Sequence, residues 1–298
     1  MPNHQKTKEE EPKPEKLPLS RPSRQLRPSA VATLALLALF LTSVIILVVR
    51  LAGYKEARDE YANLGFIVPE TMLAETAAPP SSPPTHVSAP SPTASTETAT
   101  PAPTATPFIS DRVAALLKQN RDAIGWLSIS GADIQYPVVQ GTDNEYYMTH
   151  TFLKKKNASG AIFMDCWNLK DFSDFNTVIY GHNMNDGSMF AGLRKYRHQW
   201  FFNANPYIEI TLLNKTLVYR VFAAYTSRSE DNEDFRGYNC NTEEQRAEFI
   251  KTVRARSTGI RCSYTVSRHD RLLTLVTCTG NARTWYWVVH AVLVREEG

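Results

Sequence analysis

Two residues of this chain have the chemistry for nucleophilic catalysis, Cys278 and His182. Cys278 ends the run LLTLVTC, which holds no Pro or Gly and opens into Thr279-Gly280-Asn281. A thiol at a strand end, fixed by a rigid ladder with a loop opening before it, suits a nucleophile. Taken alone, the same cysteine reads more readily as a small buried hydrophobe. His182 is presented in the same way, by the strand-like run NTVIY, then Gly181, then a loop beginning Asn183-Met184-Asn185-Asp186-Gly187. A thiol and an imidazole are the minimal nucleophile–base pair, because the ring can take the thiol proton or, once charged, stabilise the thiolate. His150, His198, His269 and His290 carry no such context and read as structural or surface residues.

The elements that must position this pair lie in residues 108–298. Apolar residues at Ile109, Val113, Leu116 and Leu117 predict a helix over 109–120, with Ser110 as its N-cap. Strands are predicted over 125–129, 134–139, 161–164, 177–180, 207–212, 216–226, 271–277 and 285–294. One long helix is expected over 242–256, with Glu243 and Glu244 in its first turn and basic residues toward its end. A shorter helical piece is expected over 188–196. Many short strands with few helices point to a mainly β fold, a closed or nearly closed β-barrel with helical insertions.

Composition excludes other chemistries. The net charge is +3, and the basic residues form no stripe with interleaved aromatics, so no nucleic-acid partner is expected. The chain has 4 cysteines, with no CxxC pair and no clustered His, so neither a metal site nor any other cofactor is expected. Cys240 and Cys262 flank the long predicted helix and are candidates for a disulfide.

Residues 30–49, AVATLALLALFLTSVIILVV, contain no charge and are long enough to cross a ~30 Å hydrocarbon core. A basic leader precedes them, including Lys6, Lys8, Lys13, Lys16, Arg21, Arg24 and Arg27. Short basic flanks stay cytoplasmic, so the organisation predicted is a cytoplasmic leader (1–29), a transmembrane helix (30–50) and an extracellular remainder. A cleaved secretory signal is the rival, but Leu51-Ala52-Gly53-Tyr54 is a poor cleavage site. Residues 51–64 are charged and can continue as a short helix. From Ala74 to Pro107 the chain is Pro, Ser, Thr and Ala with almost nothing to bury, which predicts a disordered, extended stalk completing a 51–107 spacer.

YGHNMNDGSMFAGL from Tyr180, YPVVQGTDNEYY from Tyr136 and TLVTC ending at Cys278 resemble sortases, specifically class B. The resemblance spans essentially all of 110–295, and the helix over 242–256 sits where class B sortases carry an insertion. It implies a membrane-anchored cysteine transpeptidase on an eight-stranded β-barrel, in a Gram-positive-type envelope. Cys278 would attack a Thr carbonyl in the C-terminal sorting signal of a secreted protein, and an amine from a cell-wall precursor or a pilin would resolve the thioacyl-enzyme. His182 would serve as acid toward the leaving amine and as base toward the incoming one. Asn144, Thr277 and Tyr286 are the expected substrate contacts.

One family feature is out of place. Class B sortases carry a catalytic arginine on the last strand, four positions before the equivalent of His290, where this chain has Tyr286. The nearest arginine, Arg283, lies at an odd offset, which in a regular strand points to the opposite face. Arg283 takes the role if the chain bends or bulges near Thr284. Otherwise Tyr286 supplies a neutral donor and activity is weak, an arginine elsewhere serves, or the domain is a peptide-binding module that has lost transpeptidation. A hydrolase giving the thioester to water is a further alternative.

Overall fold

The structure is a computed structural model that describes residues 28–65, 108–228, 235–278 and 285–298, with Cys278 described by its backbone. The predicted leader, the Pro-rich stalk and Arg283 lie outside the described residues. The chain divides into two compact units, 1–49 and 50–298.

The first helix, α1 (Pro28–Gly65), contains the uncharged run read as a membrane span, and its side chains from residue 32 to Leu51 are exposed throughout. By length and composition it is a candidate to cross a membrane, with a mean hydropathy of 2.8 over its most apolar window. The helix does not stop where the charges begin. It runs on to Gly65, and within the second unit Ala57, Glu60, Tyr61 and Leu64 are buried. These residues lie three and four apart, so they form one stripe on a helix.

Eight strands close into a barrel: β1 (Ala123–Ile129), β2 (Ile134–Val139), β3 (Ile162–Met164), β4 (Asn176–Tyr180), β5 (Tyr207–Thr211), β6 (Thr216–Arg228), β7 (Leu272–Cys278) and β8 (Trp285–Glu297). Their order around the barrel is β1-β2-β3-β4-β7-β8-β6-β5, closed by the β5–β1 pair. All eight predicted strands are present, and their residue types explain why: Val, Ile, Leu, Tyr, Phe and Thr fill the wall, with Leu127, Ile134, Ile162, Ile179, Leu273, Leu275 and Val289 packed inside. Gly125 lets β1 approach β5, since a Cβ there would meet the Thr211 carbonyl oxygen at 2.7 Å.

The helices decorate this wall. α2 (Asp111–Gln119) is capped by Ser110, whose Oγ accepts from Val113 N. α3 (Gln199–Ala204) follows a 3₁₀ stretch, Phe190–Arg197, that replaces the short helical piece expected after the His motif. α4 (Glu243–Arg256) begins in a capping box between Thr242 and Gln245 and rests Ile250 and Val253 against Phe222, Tyr225 and Val292. Cys240 and Cys262, at its two ends, are not bridged to each other: Cys262 is a free thiol, its Sγ 3.9 Å from the Val221 carbonyl oxygen, and Cys240 Sγ is 3.8 Å from that of Gln245.

Candidate active site

β4 and β7 are neighbours and run parallel, with Asn176 opposite Leu272 and Tyr180 opposite Val276. The ladder carries on one step further, as Gly181 N donates to the Val276 carbonyl at 3.1 Å. His182 and Cys278 each follow two positions after an aligned pair, so they arrive at the same end of adjacent strands. Neighbouring strands sit ~4.8 Å apart. A parallel pair requires a crossover, and here β5, β6 and α4 supply it, which is why the two residues are far apart in sequence.

A cleft of about 160 Å³ opens at this end. It is lined by Asn144, Met148, Phe163, Tyr180, His182, Phe235, Arg236, Thr277 and Tyr286. Four of the six residues singled out from the sequence, Asn144, His182, Thr277 and Tyr286, therefore share one cavity wall. Cys278 is at the end of β7, with Tyr286 of β8 as its register partner, and Thr277 pairs with Trp287.

Each lining residue is held in place. A carbonyl only accepts, so the 2.7 Å contact from His182 Nε2 to the Met148 carbonyl oxygen fixes a proton on Nε2. Nδ1 is then the nitrogen able to take a proton in the neutral ring. Gly181 cannot be larger: a Cβ would overlap Ile162 Cδ1 and come within 2.8 Å of the Phe190 ring. Below the imidazole lies Gly160, in the left-handed region at φ 56°, where a Cβ would sit 3.1 Å from His182 Cδ2. The Asn144 side chain is a turn residue as well as a wall residue, since its Oδ1 accepts from Cys166 N at 2.8 Å. Burial and the neighbouring Asp165 carboxylate push the Cys166 thiol up from its ordinary range, which disfavours a nucleophilic role for it.

Thr277 is buried, and its Oγ1 meets no hydrogen-bond partner among the described residues. Buried polar atoms normally find partners, and one left without costs ~1–3 kcal/mol.

Sequence reasoning missed two other residues at the cleft, Arg236 and Met148. Arg236 lies beyond β6 and donates from Nε to the Tyr180 phenol oxygen at 2.8 Å. Tyr180 in turn donates to Asp165 Oδ2 at 2.8 Å, and Tyr238 donates to the same oxygen. Burial and Asp165 hold both phenols well above their ordinary range, so both stay protonated as donors. Nothing in the local sequence marks Arg236, because the contact that makes it a wall residue spans β4 and the segment before α4. Met148 was invisible for a different reason: it acts through its backbone carbonyl.

Behind the cleft, His290 is fully buried in β8. Its Nδ1 lies 2.9 Å from Thr274 Oγ1 and its Nε2 lies 3.1 Å from the Tyr225 hydroxyl. Thr274 donates to Asn176 Oδ1 at 2.7 Å, and Asn176 Nδ2 donates to the Arg236 carbonyl at 2.8 Å. This chain runs from the outer face of the barrel wall, where His290 packs edge-on against Phe249 of α4, to the segment that carries Arg236. The sequence expectation that His290 is structural holds.

The barrel and its motifs match known proteins. A family model described as "Sortase domain" matches residues 127–294. Sortase B of Listeria monocytogenes is 38% identical over 57% of this chain and 68% of its own, and sortase B of Staphylococcus aureus is 32% identical over 55% and 66%. Among solved structures, Clostridium perfringens sortase B superposes with a TM-score of 0.57 at 33% identity, covering 61% of this chain and 99% of that one. A Staphylococcus aureus sortase B–substrate complex gives 0.57 at 30% identity, covering 63% and 86%. With a barrel that closes as theirs do and a family match running from β1 to β8, the chain belongs to the sortase family of cysteine transpeptidases, and its relatives there are class B enzymes.

Proposed function

We propose that this sortase is held in a membrane by α1, faces the outside of the cell, and joins secreted proteins to an amine acceptor. The observation that carries the reading is the parallel β4–β7 register, which brings His182 and Cys278 to the same end of the barrel beside one cleft. His182 takes the thiol proton as Cys278 Sγ bonds to the carbonyl carbon of a Thr in the C-terminal sorting signal. The C–N bond beyond it breaks, and His182 gives its proton to the leaving amine. A thioacyl-enzyme remains. The acceptor amine then attacks the same carbon, the S–C bond breaks, and His182 takes the proton from the new amide nitrogen. The thioester keeps the acyl group activated, so an amine competes with water.

The cleft supports a peptide occupant. Thr277 and Asn144 line it, and Phe163, Tyr180 and Tyr286 supply apolar wall. The acceptor is an amine of a cell-wall precursor or of a pilin lysine. Arg283 is the proposed oxyanion donor. Full-length protein in detergent, given sorting-signal peptides and an amine such as triglycine, should yield the ligated peptide and a thioacyl adduct on Cys278. Unchanged peptide with no adduct would overturn the reading.

Tyr286 as the register partner of Cys278 favours one alternative, a peptide-binding module without transfer activity. That alternative predicts peptide binding that survives Cys278→Ala, with no cellular phenotype from the substitution.

A further inference from the structure

We infer that Glu60 and Tyr61, on the last turns of α1, are positioning residues for His182. The inference rests on His182 being the acid–base residue of the proposed reaction. The loop over residues 146–161 carries both the Met148 carbonyl that accepts from His182 and the Gly160 that lies under its ring. This loop contains little regular structure, a 3₁₀ turn at Tyr146–Met148 and an isolated bridge between His150 and Lys156. Its outer half is clamped by α1.

The clamp is made at four points. Tyr61 Oη donates to the Gly160 carbonyl at 2.7 Å and accepts from Phe152 N at 3.2 Å. The Glu60 carboxylate accepts from Thr151 Oγ1 at 3.1 Å and from Leu153 N at 3.0 Å. Both side chains are buried, with Glu60 only 7% exposed. Buried carboxylates need hydrogen-bond donors, and Glu60 meets two on this one loop. Further up the helix, the Gly53 carbonyl accepts from Asn157 Nδ2 at 2.9 Å.

A second route reaches the other side of the histidine. The Tyr61 ring stands edge-on to Tyr136, 5.3 Å between centroids. The Tyr136 hydroxyl accepts from Met189 N at 2.9 Å, and Met189 is in the left-handed region at φ 57°. Met189 closes the turn after His182, in a bridge with Asn183, and Phe190 N donates back to the His182 carbonyl at 2.8 Å. Tyr61 therefore touches the supports on both sides of the imidazole without touching the imidazole.

Catalysis by a positioned base is sensitive to displacements below an ångström. Loosening the clamp should leave the barrel folded and misplace His182, which appears as a changed dependence of Cys278 reactivity on pH.

The test uses full-length protein in detergent. Alkylation of Cys278 by iodoacetamide is followed from pH 5 to 9 by peptide mass spectrometry, which separates it from Cys166, Cys240 and Cys262. Tyr61→Phe, Glu60→Gln and His182→Ala are compared with the parent, and thermal melting is recorded for each. His182→Ala should flatten or displace the profile. Tyr61→Phe removes both hydrogen bonds of the hydroxyl and should move it part of the way, lowering the rate near neutral pH about fivefold. Should Tyr61→Phe or Glu60→Gln fail to fold, Thr151→Val removes one donor from the clamp and should move the profile in the same direction. Tyr61→Phe and Thr151→Val profiles that superimpose on the parent, while that of His182→Ala departs, would overturn the inference alone. A His182→Ala profile identical to the parent would overturn the acid–base reading, and this inference with it.

Discussion

The Nε2 atom of His182 lies 2.7 Å from the carbonyl oxygen of Met148. That contact fixes one tautomer of the neutral ring and turns Nδ1 toward proton transfer. Nitrogen NMR of ¹⁵N-histidine-labelled protein should show that the neutral ring of His182 carries its proton on Nε2. A ring protonated at Nδ1 would mean that the contact is absent in solution.

Arg283 and Tyr286 divide the question of the transition-state donor. Loss of an oxyanion donor lowers turnover by about 10²–10³. Arg283→Ala should show a loss of this size in kcat with sorting-signal peptide and amine. Tyr286→Phe should lose less than about tenfold, the loss of a neutral hydrogen bond. The reverse order would assign the donor to the tyrosine.

Tyr180 links Arg236 to Asp165 across the far wall of the cleft. Tyr180→Phe removes both bonds and leaves the Asp165 carboxylate with one phenol fewer. KM for the peptide should rise about fivefold while kcat stays within about twofold, because the wall is loosened and the reacting groups are not touched. An unchanged KM would remove Arg236 from the binding surface.

Gly181 precedes His182 with no room for a side chain. Gly181→Ala should destabilise the domain by ~1–3 kcal/mol through overpacking against Ile162 and Phe190. It should also lower activity further than the melting shift explains, since relief of the clash moves His182.

Burial, with a smaller contribution from the Arg256 charge, holds His290 down to about 3 from an ordinary value near 6.5. The folded state keeps this ring neutral, and the unfolded chain protonates it first. Its contribution to stability is therefore complete above about pH 6.5 and is lost as pH falls toward 3. In that window the unfolding equilibrium should shift by about tenfold per pH unit from this group. His290→Gln, which keeps polar groups without titrating, should flatten the slope in denaturant titrations between pH 6 and 4.

Much of this molecule was legible in one dimension. Strands β1 to β8 were readable because β-branched and aromatic residues gather between turn residues, and each boundary fell within a few positions. The helix over 242–256 was readable from its charges, and its capping box follows from Thr242 and Gln245. The strand-end positions of His182 and Cys278 were readable because each follows a β-rich run without Pro. The disulfide expectation at Cys240 and Cys262 failed because spacing carries no information on Cα separation.

What sequence alone determined is the inventory: an uncharged run long enough to span a membrane, eight strands, and a thiol and an imidazole each at a strand end. Local propensity and hydrophobic pattern are written in neighbouring residues, so they survive without the fold. Only the tertiary structure decided which groups meet. The parallel pairing of β4 with β7 sets the two strand ends side by side, and a backbone carbonyl at Met148 orients the ring. The charged turns of α1 were readable only as a short helical continuation, yet they bury Glu60 and Tyr61 against the loop under His182. Their partners lie far along the chain, and a hydrogen bond between a helix side chain and a distant loop carbonyl leaves no periodic trace in either segment.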